Sequence, residues 1–325
     1  MVESIRSFSE QLSYAPVIEN VSNVKEASSF ILCGMGGSHL SAGLLKLYDP
    51  TIDLSVHYDY GLPSYSLTKL RDSLLIASSY SGNTAETIDF AKKAFSEKLN
   101  LIIVASGGKL LAFARENDIP FISLPALNIQ PRNALGYSLL ALAKATSNGK
   151  LIATLSELKS KLNPGAFEKD GKELALKLQG KIPIIYTSNV NHSLAYNWKI
   201  KFNETAKIPA FFNMFPELNH NELSGFDVVE NTRPLSKPFH FIFLRDTADY
   251  PAINERMDIT KSLYLKYEFE VEDISFIGGT ILEKAFNSIF LADWTTLCLA
   301  RFYDVDPERV PLIEEFKTLL RHITN

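Results

Sequence analysis

Ser79-Tyr80-Ser81-Gly82-Asn83-Thr84 is the stretch of this 325-residue chain from which the fold is inferred most directly. The run Leu74–Ala77 before it is apolar, which predicts a buried strand. The segment Ala85–Ala91 after it has the pattern of an amphipathic helix, and Asn83 with Glu86 has the spacing of an N-cap residue and its reciprocal partner. The sequence therefore predicts a loop that leads from a strand into the N-terminus of a helix.

Three hydroxyl side chains, those of Ser79, Ser81 and Thr84, lie in this stretch, which we call the hydroxyl loop. Backbone N–H groups and the positive end of the dipole at a helix N-terminus favour an anion, and Gly82 allows the chain to approach a ligand closely. Because the hydroxyl loop contains no Lys or Arg, it suits a phosphate monoester that is bound mainly by hydrogen bonds. The alternative is an ordinary polar turn between a strand and a helix.

The composition is that of an ordinary soluble globular protein, with 46% apolar and 22% charged residues. A formal net charge of −4 gives no basic surface for nucleic acid, so we expect no such partner. Cys33 and Cys298 are the only cysteines and lie in apolar surroundings, which indicates no disulfide framework and fits a cytoplasmic protein. We find neither a signal peptide nor a stretch apolar enough to span a bilayer, so we also expect no membrane partner.

Predicted strands alternate with helical stretches, which indicates an α/β fold with a mostly parallel sheet covered by helices on both faces. The segment Ser147–Lys150 is the best boundary, so we predict two similar domains, residues 1–150 and residues 151–325, the second with a C-terminal helix. Extended segments of the second domain are predicted at Ile208–Phe212 and Lys266–Val271, among others. Ligands of such sheets bind beyond the carboxyl ends of the strands, where the hydroxyl loop is predicted to lie.

A second loop rich in glycine, Gly34-Met35-Gly36-Gly37-Ser38, also follows a predicted strand. It allows a dinucleotide-binding interpretation, in which Asp53 or Asp59 would bind the ribose. The third glycine of that fingerprint is missing, because His39 occupies its place. A second loop close to a bound phosphate explains the pattern equally well, so the residues alone leave both interpretations open.

Two segments of the second half carry side chains suited to proton transfer. Glu204 is predicted to lie at the end of a helix, and His220 lies in the polar loop Pro216–Glu222. A carboxylate and an imidazole in one pocket are the usual groups for moving a proton off carbon and for opening a sugar ring. The alternatives are a solvated acid at a helix end and a structural loop histidine.

Two cations add to these candidates. Arg132 precedes a predicted helix, where the helix dipole disfavours positive charge. This placement favours a functional role, in which Arg132 faces an oxyanion. The alternative is an ordinary surface cation. Lys317 lies on the amphipathic C-terminal helix. The alternative to a role in the site is that it is an ordinary solvated lysine. The six histidines are scattered, and no His-x-x-x-His or Cys-x-x-Cys spacing occurs, so no metal site is predicted.

The hydroxyl loop resembles the signature of sugar isomerase (SIS) domains, which bind phosphosugars. Further segments resemble the bifunctional phosphoglucose/phosphomannose isomerases of the phosphoglucose isomerase superfamily, in the same order along nearly the whole chain. The resemblance implies an α/β fold of two SIS-type domains, each an αβα sandwich, and a homodimer. The segments are Gly34–Ser38, Pro131–Tyr137, Asn203–Ala210, Phe215–Glu222, Asp293-Trp294 and Val305–Pro307.

By position, the resemblance implies that Gly37 and Ser38 lie near the sugar of a phosphosugar substrate whose phosphate is bound by Ser79, Ser81 and Thr84. One segment departs from the family pattern, because Glu308-Arg309 stands where relatives usually have Thr-Pro. That departure concerns a sugar-contacting threonine, and hence the balance between glucose and mannose substrates.

The resemblance also implies the catalytic roles. Glu204 would carry a proton between C2 and C1, and His220, donated by the partner subunit, would open the sugar ring. Arg132 would stabilise the enediolate, and Lys317 would hold part of the substrate or its ring oxygen. Glucose 6-phosphate and mannose 6-phosphate would share one cis-enediol on the way to fructose 6-phosphate, with no cofactor. The alternative is a non-catalytic SIS module that senses a phosphosugar, since it needs only the hydroxyl loop.

Overall fold

The computed structural model describes residues 1–127, 129–227 and 229–323. The chain divides into two compact units. The first unit comprises Glu3–Gly165 and Ile277–Ser288, and the second unit comprises Met1–Val2, Ala166–Phe276 and the residues from 289 onward.

Strands and helices alternate along residues 1–165, as the apolar pattern predicts. The strands are β1 (Ile18–Glu19), β2 (Ser29–Cys33), β3 (Asp53–His57), β4 (Ser73–Ser79), β5 (Leu101–Ala105) and β6 (Phe121–Ser123). The helices are α1 (Val2–Arg6), α2 (Leu40–Tyr48), α3 (Leu67–Asp72), α4 (Ala85–Ser96), α5 (Gly108–Glu116), α6 (Leu135–Ala145) and α7 (Gly149–Leu158).

The same alternation continues in the rest of the chain. The strands are β7 (Ile182–Ser188), β8 (Phe211–Phe215), β9 (Phe239–Arg245) and β10 (Glu270–Ser275). The helices are α8 (Glu168–Leu178), α9 (His192–Lys201), α10 (Arg233–Ser236), α11 (Pro251–Lys266), α12 (Ile281–Phe302) and α13 (Pro311–Ile323). Within the described residues, none of the helices has the length and apolarity needed to cross a membrane.

The sheet of the first unit has the strand order β1-β6-β5-β4-β2-β3. Its neighbouring strands are parallel, except that β1 pairs antiparallel with β6. The strands β2, β4 and β5 are buried along their whole length, which is typical of parallel strands covered on both faces. The glycine-rich loop, the hydroxyl loop and the turn Ser106–Gly108 follow these three strands, so they share one edge of the sheet.

The sheet of the second unit has the strand order β10-β9-β7-β8, and all its strands are parallel. This order repeats the order β5-β4-β2-β3 of the first unit, so the two units have the same central topology. The predicted α/β fold with mostly parallel sheets is therefore confirmed. One part of the second core is rich in aromatic rings, with Tyr186 of β7 packed among Phe215, Phe241 and Phe243.

Two strand predictions in the second unit are wrong in position. The predicted strand Ile208–Phe212 begins later, as β8, because the chain first leaves a helical turn through the left-handed residue Lys207. The predicted strand Lys266–Val271 also begins later, as β10, because α11 continues to Lys266 and the chain then reverses at Glu268, whose φ is +65°. In the second case the apolar pattern ran across the end of a helix.

Candidate active site

The hydroxyl loop connects β4 to α4, as predicted. Ser79 Oγ lies 2.8 Å from Thr84 Oγ1 and accepts a hydrogen bond of 3.2 Å from the backbone N–H of Gly82. Ser81 Oγ accepts a hydrogen bond of 3.3 Å from the backbone N–H of Asn83. Ser79 is fully buried, Thr84 is partly buried and Ser81 is exposed. Hydrogen bonds within the loop therefore hold its hydroxyls, of which that of Ser81 is exposed and that of Ser79 is buried.

Gly82 allows the hydroxyl loop to pack closely on the turn after β5. Its φ is +68°, and a Cβ atom at this position would lie 1.8 Å from the carbonyl oxygen of Gly107. The backbone N–H of Ser106 donates to Tyr80 O at 2.9 Å, and that of Leu110 donates to Gly82 O at 3.0 Å. Glycine is the residue that fits a left-handed backbone in such close contact. The loops after β4 and β5 thus form one continuous surface.

The predicted N-cap of α4 is wrong. Thr84, and not Asn83, is the N-cap residue, and among the described residues no side chain caps the helix by a hydrogen bond. Asn83 instead accepts a hydrogen bond of 3.1 Å from the backbone N–H of Lys109 and donates one of 3.2 Å to Ser81 O. The first N–H groups of α4 therefore have no side-chain acceptor, which suits an anion at this position.

The glycine-rich loop after β2 packs against the turn that carries Arg132. A Cβ atom at Gly37 would lie 2.6 Å from the backbone nitrogen of Arg132. Ser38 joins the same loop to the end of β4, since its Oγ accepts a hydrogen bond of 3.0 Å from Tyr80 N–H, and its carbonyl oxygen accepts one of 3.1 Å from Ser78 Oγ. The first unit thus brings the glycine-rich loop, the hydroxyl loop and the Arg132 turn together.

Arg132 is a buried residue and not a surface cation. It belongs to the 3₁₀ turn Pro131–Asn133 that precedes α6, as the sequence predicts, and only 1% of its surface is exposed. Burial of a guanidinium costs free energy unless the charge has a partner. The surface-cation alternative for Arg132 is therefore wrong.

The dinucleotide interpretation is wrong for Asp53, one of the two acids that it assigned to the ribose. This residue begins β3 and pairs with Lys69, so it lies at the amino end of the strand, whereas the glycine-rich loop follows the carboxyl end of β2. His39, in the place of the third glycine, is buried, and its ring meets that of Tyr58 edge-on with the centroids 4.9 Å apart. Burial lowers the pKa of His39 to about 4, so the imidazole is neutral at pH 7.

Glu204 lies in the second unit, in the π-helical turn Phe202–Ala206 that continues α9. The turn ends at Lys207, whose φ is +60° and whose Nζ donates to the carbonyl oxygen of Glu204. Glu204 is partly buried, and burial together with the Glu204 charge raises the pKa of Tyr196. The sequence predicts that Glu204 lies at a helix end. It does not predict the π-helical turn, a feature that is frequent at functional sites.

A buried ion pair fixes α9 immediately before this turn. Lys201 is the last residue of α9, and its Nζ lies 2.5 Å from Asp293 Oδ1 on α12. The two side chains are only 1% and 8% exposed. The pair therefore ties the helix that leads to Glu204 into the core of the second unit.

His220 lies on the turn after β8, as predicted. It follows the 3₁₀ turn Glu217–Asn219, and its backbone N–H donates to Glu217 O at 2.9 Å. Its side chain is exposed. Glu204 precedes β8 whereas His220 follows it. One chain thus carries these two side chains near opposite ends of one strand.

Lys317 lies on α13 and is exposed, as expected for a residue on an amphipathic terminal helix. In the departing segment, the backbone N–H of Glu308 donates to Asp306 Oδ1 at 2.8 Å. The predicted site residues are thus distributed between the two units. The first unit contains Gly37, Ser38, Ser79, Ser81, Thr84 and Arg132, and the second unit contains Glu204, His220 and Lys317.

Two charged groups close to these residues could not be identified from the sequence. One is the Lys201–Asp293 pair, and the other is the carboxylate of Glu222, which accepts a hydrogen bond of 2.5 Å from the hydroxyl of Tyr186. The only two signals in the sequence were a charge inside an apolar helix, at Asp293, and a second acid in the polar loop, at Glu222. Neither signal identifies the partner.

In residues 1–127, 129–227 and 229–323, no three His, Cys, Asp or Glu side chains are grouped so that they could ligate one metal ion. The two cysteines, Cys33 and Cys298, are free and buried. Burial raises the pKa of the Cys33 thiol to about 12 and also raises that of Cys298. Both thiols therefore stay protonated and unreactive at neutral pH.

A family model described as "Bacterial phospho-glucose isomerase C-terminal SIS domain" matches residues 167–320. A bifunctional phosphoglucose/phosphomannose isomerase of Caldicellulosiruptor bescii is 37% identical to this chain. The alignment covers 99% of each of the two chains. A D-glucosamine-6-phosphate 4-epimerase of Sulfolobus acidocaldarius is 32% identical, over 85% of this chain and 86% of its own.

A solved structure gives an independent comparison. The C-terminal domain of glucosamine-fructose-6-phosphate aminotransferase from Francisella tularensis superposes with a TM-score of 0.70, covering 95% of this chain and 97% of that domain. The two sequences are only 13% identical, so this likeness shows the fold alone. The 37% identity over the full length of the Caldicellulosiruptor protein shows more than the fold. The chain belongs to the family of bifunctional phosphoglucose/phosphomannose isomerases.

Proposed function

We propose that this chain interconverts glucose 6-phosphate and mannose 6-phosphate with fructose 6-phosphate. The observation that carries the proposal is the carboxylate of Glu204 in a π-helical turn, in a chain that also has a hydroxyl loop at an uncapped helix. A module that only senses a phosphosugar needs the hydroxyl loop alone. An isomerase also needs a base, and Glu204 supplies one.

The chemistry explains why one site serves both aldoses. Glucose 6-phosphate and mannose 6-phosphate differ only at C2, so removal of the C2 proton gives the same cis-enediol from both. Addition of a proton at C1 then gives fructose 6-phosphate, with no net oxidation or reduction. The reaction needs a base, an acid for the ring oxygen, a cation near the enediolate and an anchor for the phosphate.

The proposed phosphate anchor is the hydroxyl loop, with Ser79, Ser81 and Thr84 as hydrogen-bond donors. The backbone N–H groups at the start of α4 and the dipole of that helix add to the binding of an anion. Gly37 and Ser38 are proposed to contact the sugar, because their loop is hydrogen-bonded to the hydroxyl loop through Tyr80.

Glu204 is the proposed base that carries the proton between C2 and C1. Arg132 is proposed to stabilise the negative charge of the enediolate, since a buried guanidinium interacts with charge more strongly than one in water. Lys317 is proposed to hold part of the substrate or its ring oxygen.

We further propose that the enzyme is a homodimer and that His220 opens the sugar ring in the site of the partner subunit. In one chain, Glu204 comes before β8 and His220 comes after it, so the length of this strand separates the two turns that carry them. His220 is exposed, so a second copy can approach it. The free, buried cysteines support a cytoplasmic location.

Mixing two inactive variants tests the homodimer. We expect His220→Ala and Glu204→Gln chains to regain activity together, because each mixed dimer has one site with both residues intact. Random exchange gives mixed dimers in half of the cases, so about a quarter of wild-type activity should return. If subunits are shown to exchange and no activity returns, both residues act in one subunit's site or one of them is not catalytic.

A discontinuous assay, in which the isomerase reaction contains EDTA and no added nucleotide and fructose 6-phosphate is measured after quenching, tests the proposed reaction. We expect turnover of both glucose 6-phosphate and mannose 6-phosphate. Binding of these sugars without turnover would instead support the phosphosugar-sensing module. Because one relative is a D-glucosamine-6-phosphate 4-epimerase, D-glucosamine 6-phosphate is the matched third substrate. A change at its C4, with no fructose 6-phosphate formed from the other two, would contradict the proposal.

A further inference from the structure

The carboxylate of Glu222, two residues after His220, is held by two side chains from the sheet of the second unit. Tyr186 on β7 donates its hydroxyl to Oε1 at 2.5 Å, and Asn213 on β8 donates its side-chain amide to Oε2. We infer that Glu222 is a positioning residue, which uses these two donors to fix the turn that carries His220. This inference rests on the proposed function, in which His220 opens the sugar ring.

Tyr186 is a firm anchor for this carboxylate. It has no exposed surface, and its ring lies 5.5 to 6.0 Å from those of Phe215, Phe241 and Phe243. Burial raises the pKa of its hydroxyl well above the usual value, so Tyr186 keeps its proton and remains a donor throughout the physiological pH range. One oxygen of Glu222 is therefore attached to a side chain that cannot move without disturbing the aromatic core.

The other side of the turn is fixed by different contacts. Leu218 is fully buried in the same core. Asn219 donates to Thr260 Oγ1 at 2.9 Å and accepts a hydrogen bond of 3.4 Å from Arg256, both on α11. His220 thus lies between two attachment points, one residue before it and two residues after it. The side chain itself is exposed, so these attachments are what set its position.

Precise placement matters because proton transfer depends steeply on geometry. Functional groups have to be held within about 0.5 Å of their productive position, and a misplacement of about 1 Å can cost 10²-fold in rate. Removal of the Glu222 carboxylate would detach one side of the turn and leave His220 itself present. The expected defect is therefore smaller than that of removing His220.

Ring opening has a readout that is separate from isomerisation. The C1–O5 bond breaks as the C1 hydroxyl loses a proton and O5 gains one, and reclosure on either face of the aldehyde gives either anomer. Exchange between the α and β anomers of glucose 6-phosphate thus reports ring opening, without transfer of the C2 proton. NMR exchange spectroscopy measures this rate at equilibrium, after subtraction of the rate without protein.

The test compares four full-length variants by this measurement and by thermal unfolding. We expect Glu222→Ala to slow anomer exchange by about 10- to 100-fold, less than the loss of His220, whose acid–base catalysis contributes up to about 10⁴-fold. Glu222→Gln should stay near the wild-type rate, because glutamine can accept from Asn213 and donate to the oxygen of Tyr186. Glu255→Ala, an exposed acid on α11, is the matched control and should leave the rate unchanged.

The outcomes separate this inference from the proposed function. If Glu222→Ala folds and keeps the wild-type anomer exchange, Glu222 does not position His220. If His220→Ala itself keeps that rate, the proposed role of His220 is wrong and the inference fails with it. Should Glu222→Ala not fold, Tyr186→Phe removes one donor and leaves the ring in place. It should then slow anomer exchange in the same direction, and an unchanged rate would overturn the inference.

Discussion

Replacing Lys201 by methionine tests whether the buried ion pair stabilises the helix that leads to Glu204. The Lys201 side chain is 1% exposed and that of Asp293 is 8% exposed, with 2.5 Å between Nζ and Oδ1. Methionine fills a similar volume but removes the charge, so the Asp293 carboxylate is left buried without this cation. Breaking a buried pair in this way costs about 3–5 kcal/mol.

Urea unfolding measures this loss as a change in the free energy of unfolding. Lys177→Met is the matched control, because Lys177 is 55% exposed and lies 2.8 Å from Glu272 in the same unit. Exposed pairs of this kind contribute about 0–1 kcal/mol. The double variant Lys201→Met/Asp293→Leu should recover most of the lost stability, because it also removes the buried carboxylate that has lost its lysine.

Two results would refute this reasoning. One is a Lys201→Met variant that loses no more stability than Lys177→Met. The other is a double variant no more stable than Lys201→Met alone, since the loss would then come from packing and not from the broken ion pair. Where the single variant remains folded, we expect its kcat to fall more than its KM changes, because Glu204 lies three residues after Lys201.

Three further predictions concern the first unit. Gly82→Ala should destabilise the protein and raise KM, because its Cβ would lie 1.8 Å from Gly107 O at a φ of +68°. Gly149→Ala is the control and should do neither, because nothing lies within 4 Å of its Cβ. Equal KM values in the two variants would contradict this prediction. Thr84→Ala should raise KM by the loss of about 1–3 kcal/mol of hydrogen bonding to a charged group, and a wild-type KM in steady-state assays would remove it from the phosphate site. Because burial lowers the pKa of His39 from 6.5 to about 4, the unfolded chain binds its proton first as the pH falls. The free energy of unfolding, measured with urea, should therefore decline by about 3 kcal/mol between pH 6.5 and pH 4. His39→Asn should reduce this decline. An unchanged pH dependence in this variant would show that His39 is not responsible.

The strands and loops of the first unit could be predicted from the sequence because their signals are local. An apolar run before the hydroxyl loop and an amphipathic segment after it define a strand, a loop and a helix. The N-cap was wrong because Asn83 is hydrogen-bonded to the turn at Lys109, 26 residues later, and spacing within one helix cannot show such a contact. Local patterns thus predicted the position of the hydroxyl loop but not its hydrogen bonds.

The supporting contacts of the second unit were not predictable for the same reason. Lys201 and Asp293 are 92 residues apart, and Tyr186 and Glu222 are 36 residues apart. Such pairs form only when helices and strands pack, so a single sequence shows the charges without their partners. The π-helical turn at Glu204 also depends on its surroundings, since a helical pattern gives no sign of one extra residue in a turn.

Turnover by Glu204→Gln tests the central claim most directly. Glutamine keeps the size of the side chain and removes the base, so kcat should fall by about 10²–10⁴-fold or more while KM changes little. The fall should be equal for glucose 6-phosphate and mannose 6-phosphate, and exchange of the C2 proton of glucose 6-phosphate with D₂O should stop. Loss with one sugar alone would mean two separate bases and no shared enediol. Near wild-type turnover of both sugars would remove Glu204 from the mechanism and would favour a module that binds phosphosugars without converting them.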